Sequence, residues 1–347
     1  MAQLAAALRP VPRFSARHCL CSATLAPRHS ANSYPAIATA HTKLTSPATI
    51  VKRAASSSNR HPCILTNSIT AGTMASQAPP AAAAAAENSD LDTKIATLLE
   101  TSLKETAPTT ESAQKTANDI ERLYYQQKMS GGDAEDFLWK LWTITIQVAK
   151  KIPASDVRQA HLVDVIAKLK AKKSDSVEIW GQKAVMWDDL ALFGPCMREA
   201  WNIDVKFDGS DDDKTKIQEW ISLNSFAARL LGAKLQSWMN FGIWELRAGL
   251  EEPLKTAEAK NMHLSTASEW LTHAGKVMHT EAAQGVKPDE MEAKMLSSGS
   301  LLKGQTGNTT ERWQFWKTRL AELSAEVTAD VKAKADAAAA QMTKHEA

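Results

Sequence analysis

Residues 216–232, KIQEWISLNSFAARLLG, give the clearest indication of how this chain folds. Apolar residues recur in this stretch at intervals of three and four: Trp220, Leu223, Ala227, Leu230 and Leu231. This period places them on one side of an α-helix. Gly232 suits the helix end, because glycine readily adopts the left-handed conformation that often follows a last turn. The stretch therefore predicts an amphipathic helix with one buried side.

The same period extends over most of the chain from residue 89 onward. A helix is predicted from Thr110 to Met129, and Asp133 and Ser155 are predicted to cap the next two helices. Gly242 and Gly249, seven residues apart, share a helix face that another helix can approach closely. We predict an all-α, multi-helix globular domain over residues 89–335, with roughly eight to ten helices of common length. Stacked helix pairs remain an alternative arrangement.

The N-terminal segment differs sharply from this domain. The first 86 residues contain eight Lys or Arg residues and no Asp or Glu. Two interpretations of residues 1–73, which we expect to be disordered, remain open. An Arg-rich, Ser-rich leader without acidic residues is typical of a mitochondrial transit peptide. Alternatively, the Ala, Ser, Thr and Pro bias reflects untranslated sequence ahead of a true start at Met74, which predicts a cytoplasmic protein.

Two further segments are predicted to lie outside the domain. Residues 74–88 combine prolines with a run of alanines and suggest a linker, with Ser89 capping the first helix. Residues 336–347 are rich in alanine and suggest a frayed tail.

Charge and composition exclude several classes of protein. The whole chain has a net charge of +2, so the residues after 86 carry a net charge of −6 and offer no basic stripe for nucleic acid. No run of 18 apolar residues is present, which argues against a membrane span. Only Cys196 lies beyond the leader, so neither a disulfide framework nor a multi-cysteine metal site is predicted.

Residues 178–202, EIWGQKAVMWDDLALFGPCMREAWN, are unusually rich in tryptophan. Trp180, Trp187 and Trp201 are spaced by 7 and 14, which would place them on one face of a continuous helix. Because proline disrupts helix interiors, Gly194-Pro195 is predicted to break that helix. We therefore predict two helices meeting at an elbow filled by the three indoles. The alternative is a pocket in which they stack on a ligand.

Charged and polar residues nearby complete the candidate site. They are Asp189, Arg198, Glu199, Asn224, Arg229, Trp244 and Arg247. The charged residues among them lie beside apolar helical positions, together with Asp188 and Glu245. One interpretation is an acid–base cluster, and the other is a set of interhelical ion pairs at the edge of the core. The second is favoured, because no histidine or nucleophile accompanies them at a recognisable spacing. No catalytic residue and no cofactor is predicted.

A metal site is also not predicted. Residues 208–219, DGSDDDKTKIQE, place oxygen atoms at four positions of an EF-hand loop: Asp208, Ser210, Asp212 and Glu219. Asp213, however, stands where the loop requires glycine for its sharp turn. An acidic loop leading into a helix N-terminus explains the segment more simply.

Five segments together resemble a known family. They are LWKLWTITIQVAKKIP, the 178–202 stretch, EWISLNSFAARLLG, FGIWELRAGLE and EWLTHAG. In order and spacing they are similar to a largely fungal family catalogued as a domain of unknown function, number thirty-six thirty-two. The resemblance covers about residues 89–330 and implies a helical fold. It implies no activity, substrate or cofactor.

The sequence favours a soluble, non-catalytic helical protein that contacts a protein partner. A helical pocket for an apolar small molecule is the alternative, and an enzyme is the third hypothesis. A cavity lined by Trp187 and Trp201 would favour the pocket, whereas a filled core would favour the partner-binding protein.

Overall fold

The computed structural model describes residues 80–104 and 109–346, so the predicted leader lies outside the described residues. These residues belong to one compact unit, Met74–Ala347. They form twelve α-helices and one small hairpin, which confirms the all-α class with more helices than expected. No helix in this part of the chain combines the length and apolarity needed to cross a membrane. The helices are α1 (Pro80–Ser102), α2 (Thr110–Met129), α3 (Ala134–Lys151), α4 (Val157–Lys170), α5 (Phe193–Ala200), α6 (Asp211–Gly232), α7 (Met239–Leu246), α8 (Ala257–His273), α9 (Gly275–Gln284), α10 (Glu290–Met295), α11 (Thr310–Leu323) and α12 (Ala329–Glu346).

The core is organised around α8, most of whose residues are buried. This helix packs most extensively against α6 and α12, which are distant from each other in the sequence. α6 also packs against α3 and α4, and α2 packs against α4. The helices therefore interlock around a common core instead of stacking as successive pairs.

Three glycines allow neighbouring segments to approach α8 closely. A Cβ atom at Gly232 would lie 1.9 Å from a backbone carbonyl oxygen of α8. A Cβ at Gly242 would lie 2.9 Å from the Trp270 ring, and one at Gly249 would lie 3.1 Å from another α8 carbonyl oxygen. The close approach predicted for Gly242 and Gly249 is therefore confirmed, with α8 as the neighbour.

Helix caps agree with the sequence in places and differ in others. Asp133 caps α3 as predicted, accepting a hydrogen bond from the Glu135 N–H. The cap of α4 is Asp156 and not Ser155, because the Asp156 carboxylate accepts from the first turn. α1 begins at Pro80, so the predicted Ser89 cap and most of the predicted linker are helical. Proline suits a first helical turn and alanine has the highest helix propensity, which explains this extension.

The predicted fraying of residues 336–347 is wrong up to residue 346. Four residues of α12 are buried at spacings of three and four: Val331, Ala335, Ala338 and Met342. The small alanines let α12 pack against α8, α9 and α11. Its end is bonded through Glu346, which accepts from the Trp313 indole N–H at 2.9 Å.

The prediction that Trp180 and Trp187 lie on one face of a helix that ends at Gly194-Pro195 is also wrong. A hairpin takes its place, formed by β1 (Ser176–Ile179) and antiparallel β2 (Gln182–Val185). The central turn residues, Trp180 and Gly181, have φ values of 51° and 76°. Two consecutive positive φ values are typical of the type I′ turn, whose twist matches that of the flanking strands.

A second error concerns the Gly194-Pro195 break. These residues lie in the first turn of α5 and begin a helix instead of ending one. Proline is tolerated there, because first-turn N–H groups have no partner within the helix. The three tryptophans consequently share no helix face. Trp180 lies at the hairpin turn with 57% of its surface exposed, whereas Trp187 and Trp201 are buried in the core.

Candidate functional site

Trp201, at the C-terminal end of α5, lies in a cluster of aromatic rings. Its indole stacks on Phe241 with a centroid distance of 4.3 Å. The rings of Trp220 and Trp270 lie 5.0 Å and 6.3 Å away. Because Trp201 is only 7% exposed, other side chains fill the space around it. Trp201 therefore joins α5 to α6, α7 and α8 as a core residue.

Asn224, a predicted site residue on α6, connects two of these helices. Its side-chain amide is fully buried and donates to the Trp220 carbonyl oxygen at 3.0 Å. Its Oδ1 accepts from the Trp270 indole N–H at 2.7 Å. The bonds satisfy polar groups that would be costly to bury alone, so Asn224 has a structural role.

Glu245 on α7 is a buried acid beside the same cluster. The Trp220 indole N–H donates to its Oε2 at 3.3 Å. Burial raises the pKa of Glu245 to about 7, although the Trp220 bond, the neighbouring Trp201 N–H and the charge of Arg247 act in the opposite direction. The Trp201 N–H itself lies outside hydrogen-bond geometry. Burial therefore favours the protonated form of this carboxyl group.

We expect Glu245→Gln to stabilise the protein at alkaline pH. In the native protein the acid binds its proton more tightly than in the unfolded chain, so stability falls as pH rises toward the folded pKa. With about 1.4 kcal/mol per pKa unit, this loss reaches about 3 kcal/mol by about pH 8. Glutamine still accepts from Trp220 but never ionises, so the variant lacks this loss.

Denaturant unfolding of both proteins from about pH 5 to about pH 8 tests this expectation. The difference between them should be small at the acidic end and grow with pH. Glu199→Gln, which changes an exposed acid on α5, serves as the control and should follow the wild type. Parallel pH profiles for Glu245→Gln and wild type would contradict the raised pKa.

Beside this cluster, next to the Phe241–Trp244 ring contact of 5.6 Å, lies a partly exposed surface, which we name the arginine–methionine surface. It consists of Arg198, Trp244, Arg247, Met291 and Met295. The Arg198 guanidinium lies 5.7 Å from the centroid of the Trp244 ring. Trp244 donates to the Met295 carbonyl oxygen at 3.0 Å, and Arg247 donates to the Ser297 carbonyl oxygen at 3.0 Å. These contacts link α5 and α7 to the C-terminal end of α10, and Met291 lies one helical turn before Met295 on α10.

The remaining predicted residues are not part of this surface. Trp187 is fully buried and packs edge-on against Tyr124 of α2, with ring centroids 6.2 Å apart. Asp189 is exposed, and its Oδ2 accepts from the Val185 N–H at 2.6 Å. Glu199 is also exposed, and among the described residues neither carboxylate forms an ion pair. The prediction that these charges form interhelical ion pairs is wrong for Asp189, Arg198 and Glu199.

Arg229 instead lies in a partly buried hydrogen-bond network. Its Nη2 donates to the Ala154 carbonyl oxygen at 3.2 Å, and its Nε lies 3.4 Å from the Ser225 hydroxyl. That hydroxyl donates to Glu269 at 2.8 Å, and His273 lies 3.3 Å from the same carboxylate. Burial acts to raise the pKa of Glu269, but the bonds from His273 and Ser225 outweigh it and lower the pKa. The network links α6 to α8.

An ion pair that the sequence analysis missed joins Glu251 to Arg312, and both side chains are fully buried. Arg312 Nε and Nη2 donate to the two carboxylate oxygens at 2.8 Å and 3.1 Å. The Trp316 indole and the Gly299 N–H also donate to this carboxylate, each at 2.7 Å. Arg312 Nη1 donates to two loop carbonyl oxygens, of Leu296 and Gly307. The pair thus fixes the loop between α10 and α11 to the body.

Glu251 ends a π-helical turn, Arg247–Glu251, that continues α7. Such turns often occur at functional sites. This turn places Arg247 on the arginine–methionine surface and Glu251 in the core. The partly exposed Arg247 and the buried Glu251 therefore lie at the two ends of one five-residue turn.

Two potential nucleophiles are buried. Ser102 Oγ lies 2.8 Å from His161 Nε2, and Thr116 donates to the same hydroxyl at 2.6 Å. All three are less than a tenth exposed, which restricts access to this serine–histidine pair. Burial raises the pKa of Cys196 to about 12, so its thiol is protonated and unreactive at neutral pH.

Two surface clefts lie away from the predicted residues. A cleft of about 1180 Å³ separates α1 from α2 and is lined mainly by polar side chains. A smaller one, of about 400 Å³, lies at the loop between α10 and α11. None of the ten predicted site residues lines either cleft.

The acidic segment 208–219 forms the N-terminal cap and the first turns of α6. Asp208 accepts from the Ser210 N–H, and Ser210 caps α6 by accepting from the Asp213 N–H. Asp213 is buried and accepts from the Lys206 N–H at 2.7 Å. Within the described ranges no cluster of three or more His, Cys, Asp or Glu side chains is placed to hold a metal ion.

Comparison with known proteins places this arrangement in a family. Residues 142–320, just over half of the chain, match the model described as Protein of unknown function (DUF3632). The chain belongs to this family. No curated protein and no solved structure matches it. The DUF3632 match includes all ten predicted site residues, the rest of the arginine–methionine surface and the Glu251–Arg312 pair. It leaves out α1, α2 and α12.

Proposed function

We propose that this member of the DUF3632 family is a non-catalytic helical protein that binds a protein partner through its arginine–methionine surface. The observation that carries the proposal is the combination of cationic and apolar groups there. Arg198 is exposed and Arg247 half-buried, and neither forms an ion pair among the described residues. Met291 and Met295 are 61% and 44% exposed. Arginine, tryptophan and methionine are enriched at protein interfaces.

The interior supports the non-catalytic part of the proposal. Glu251 is bonded on all sides by the protein's own groups, and Glu245 is enclosed by indoles. The Cys196 thiol is protonated at neutral pH because burial raises its pKa to about 12. A catalytic group needs contact with a substrate, and these groups already contact the protein itself.

Site-specific photo-crosslinking tests the proposal. A benzoylphenylalanine residue placed at Met291 should give discrete protein adducts when cells that produce the chain are irradiated. The same probe at Val157 serves as the control, because this residue is 65% exposed and lies on α4, outside the proposed surface.

The adducts at Met291 should disappear when Arg198→Glu and Arg247→Glu reverse both charges, because like charges across an interface repel. Adducts that are identical at Val157, or that survive the double charge reversal, would refute partner binding at this surface. The absence of any adduct at Met291 would refute it as well.

A further inference from the structure

We propose that the C-terminal end of α12 is a pH-sensitive contact, which leaves α9 when His345 gains a proton. His345 belongs to the last turn of α12, which ends at Glu346. Its imidazole is half-buried and packs on Gly275, the first residue of α9, where an added Cβ atom would lie 3.2 Å from the ring. The same Cβ atom would lie 3.6 Å from the Trp313 indole of α11. The end of α12 is therefore held where two other helices meet.

Basic side chains surround this imidazole. Lys276 lies in the first turn of α9, and His279 lies about one turn further along the same helix. The His279 ring also contacts the Trp313 ring, with centroids 5.0 Å apart. Lys344 precedes His345 on α12. A proton on His345 therefore adds a positive charge beside three other basic groups, each of which opposes it.

The direction of the pH effect follows from these surroundings. Burial, followed by the charges of His279, Lys276 and Lys344, lowers the pKa of His345 below its ordinary value of 6.5. In the undocked end the imidazole is solvated and regains that ordinary value. The undocked end thus binds the proton more tightly than the docked end does. Docking consequently has its full strength above about pH 6.5 and weakens as the pH falls from there toward the lowered pKa.

Glu346, the neighbouring acid, keeps its charge in this range. Its carboxylate accepts from Lys317 and from the Trp313 indole, at 2.5 Å and 2.9 Å. The bond from Lys317, with a smaller contribution from Trp313, lowers the pKa of Glu346. The change of charge in mildly acidic solution therefore belongs to His345. Because Glu346 and Lys317 are both partly exposed, their ion pair adds little to docking and opposes the release weakly.

The release is local, because the rest of α12 is held by apolar packing. Val331, Ala335 and Ala338 are buried nearer the start of the helix, and α12 packs extensively against α8. This packing has no titratable side chain and keeps α12 attached while its last turns open. Trp313, which is fully buried, then loses its bond to Glu346. Mild acid thus uncovers an indole that is enclosed at neutral pH.

Hydrogen exchange of the intact chain, read by mass spectrometry, tests the proposal. Protection factors, which correct for the intrinsic pH dependence of exchange, are compared at about pH 7.5 and about pH 5.5. In the wild type, the amides of the last two turns of α12 should lose protection by about threefold or more at the lower pH. The amides of α3, a helix without histidine, should keep theirs.

Two substitutions separate the charge of the ring from its packing. His345→Gln cannot take up a proton in this range, so the end of α12 should stay protected at both pH values. His345→Lys carries its charge throughout, so the end should lack protection already at neutral pH. Lys332→Gln is the matched control, because it removes an exposed lysine at the start of α12 and should follow the wild type. Circular dichroism should show that all three variants fold.

Equal protection of the α12 end at both pH values in the wild type would overturn the proposal. The same acid-induced loss in His345→Gln would overturn it as well, because another group would then carry the effect. Low protection of His345→Gln already at neutral pH would mean that ring packing, and not charge, holds the end, and this result is equally contrary to the proposal. So is full protection of His345→Lys.

Discussion

Arg312→Met is expected to lower the free energy of unfolding by about 3–5 kcal/mol, because it leaves Glu251 as a buried charge without its cation. Both side chains are fully buried, and two guanidinium nitrogens contact the two carboxylate oxygens at 2.8 Å and 3.1 Å. After the substitution, the Trp316 and Gly299 N–H groups still donate to the carboxylate, but neither carries a compensating charge. The variant also removes the bond to the Gly307 carbonyl oxygen and one of two bonds to the Leu296 carbonyl oxygen, which still accepts from the Gly307 N–H at 3.1 Å. Denaturant unfolding of the wild type and the variant measures the loss.

Two further variants serve as controls for the stability loss of Arg312→Met. Arg319→Met removes a partly exposed arginine from its pair with Glu322 and should cost less than about 1 kcal/mol. Adding Glu251→Leu to Arg312→Met should recover part of the loss, because no buried charge then remains unpaired. A loss below about 1 kcal/mol for Arg312→Met alone would mean that water or another cation reaches Glu251. The ion pair would then not be the element that fixes the loop between α10 and α11.

The sequence predicted the helices well where the signals were local. The stripe over residues 216–232 corresponds to α6, which ends at Gly232 as predicted, and α2 runs from Thr110 to Met129. A 3.6-residue period and a capping side chain depend on neighbours a few positions away, so they can be recognised in one sequence. The spacing of Gly242 and Gly249 also indicated a close approach, although the sequence did not identify α8 as the neighbour.

The hairpin at residues 176–185 shows how a local signal can mislead. Three tryptophans spaced by 7 and 14 suggested a helix face, yet Trp180 occupies a turn position with positive φ. Glycine usually follows asparagine or aspartate in such turns, and Trp180-Gly181 lacks that signature. Burial of Val177 and Ile179 against the core, on alternate positions of β1, stabilises a strand of only four residues.

The candidate site was harder to predict, because its residues come from segments that are distant in the sequence. Glu251 and Arg312 are 61 positions apart, and no spacing rule connects them. The one local signal was Arg312 itself, a charged residue beside the apolar stripe that begins at Trp313. Met291 and Met295 were overlooked because α10 has six residues and buries none of them, so it has no apolar stripe to recognise. The arginine–methionine surface forms only when α5, α7 and α10 come together.

Trp187→Ala is the second substitution with a large expected effect, about 3–5 kcal/mol of lost stability, typical of removing a buried tryptophan. Trp187 is fully buried and packs against the Tyr124 ring of α2. Its removal leaves a cavity between α2 and the segment that follows the hairpin. Asp189→Asn, two residues away, should cost far less. Its side chain is exposed, and an amide oxygen can still accept from the Val185 N–H.

Trp180→Ala completes the comparison, because it removes the same side chain from a position that is 57% exposed. It loses one exposed hydrogen bond, from the indole to Glu135, and should stay within about 1 kcal/mol of the wild type. Denaturant unfolding of the three variants separates a packed core from an open pocket. If Trp187 lined a pocket, its removal would delete few contacts, and Trp187→Ala would resemble Trp180→Ala. That result would contradict the packing described here and favour the ligand-binding hypothesis. A loss of stability in Trp187→Ala alone, by contrast, would show that this indole stabilises the fold.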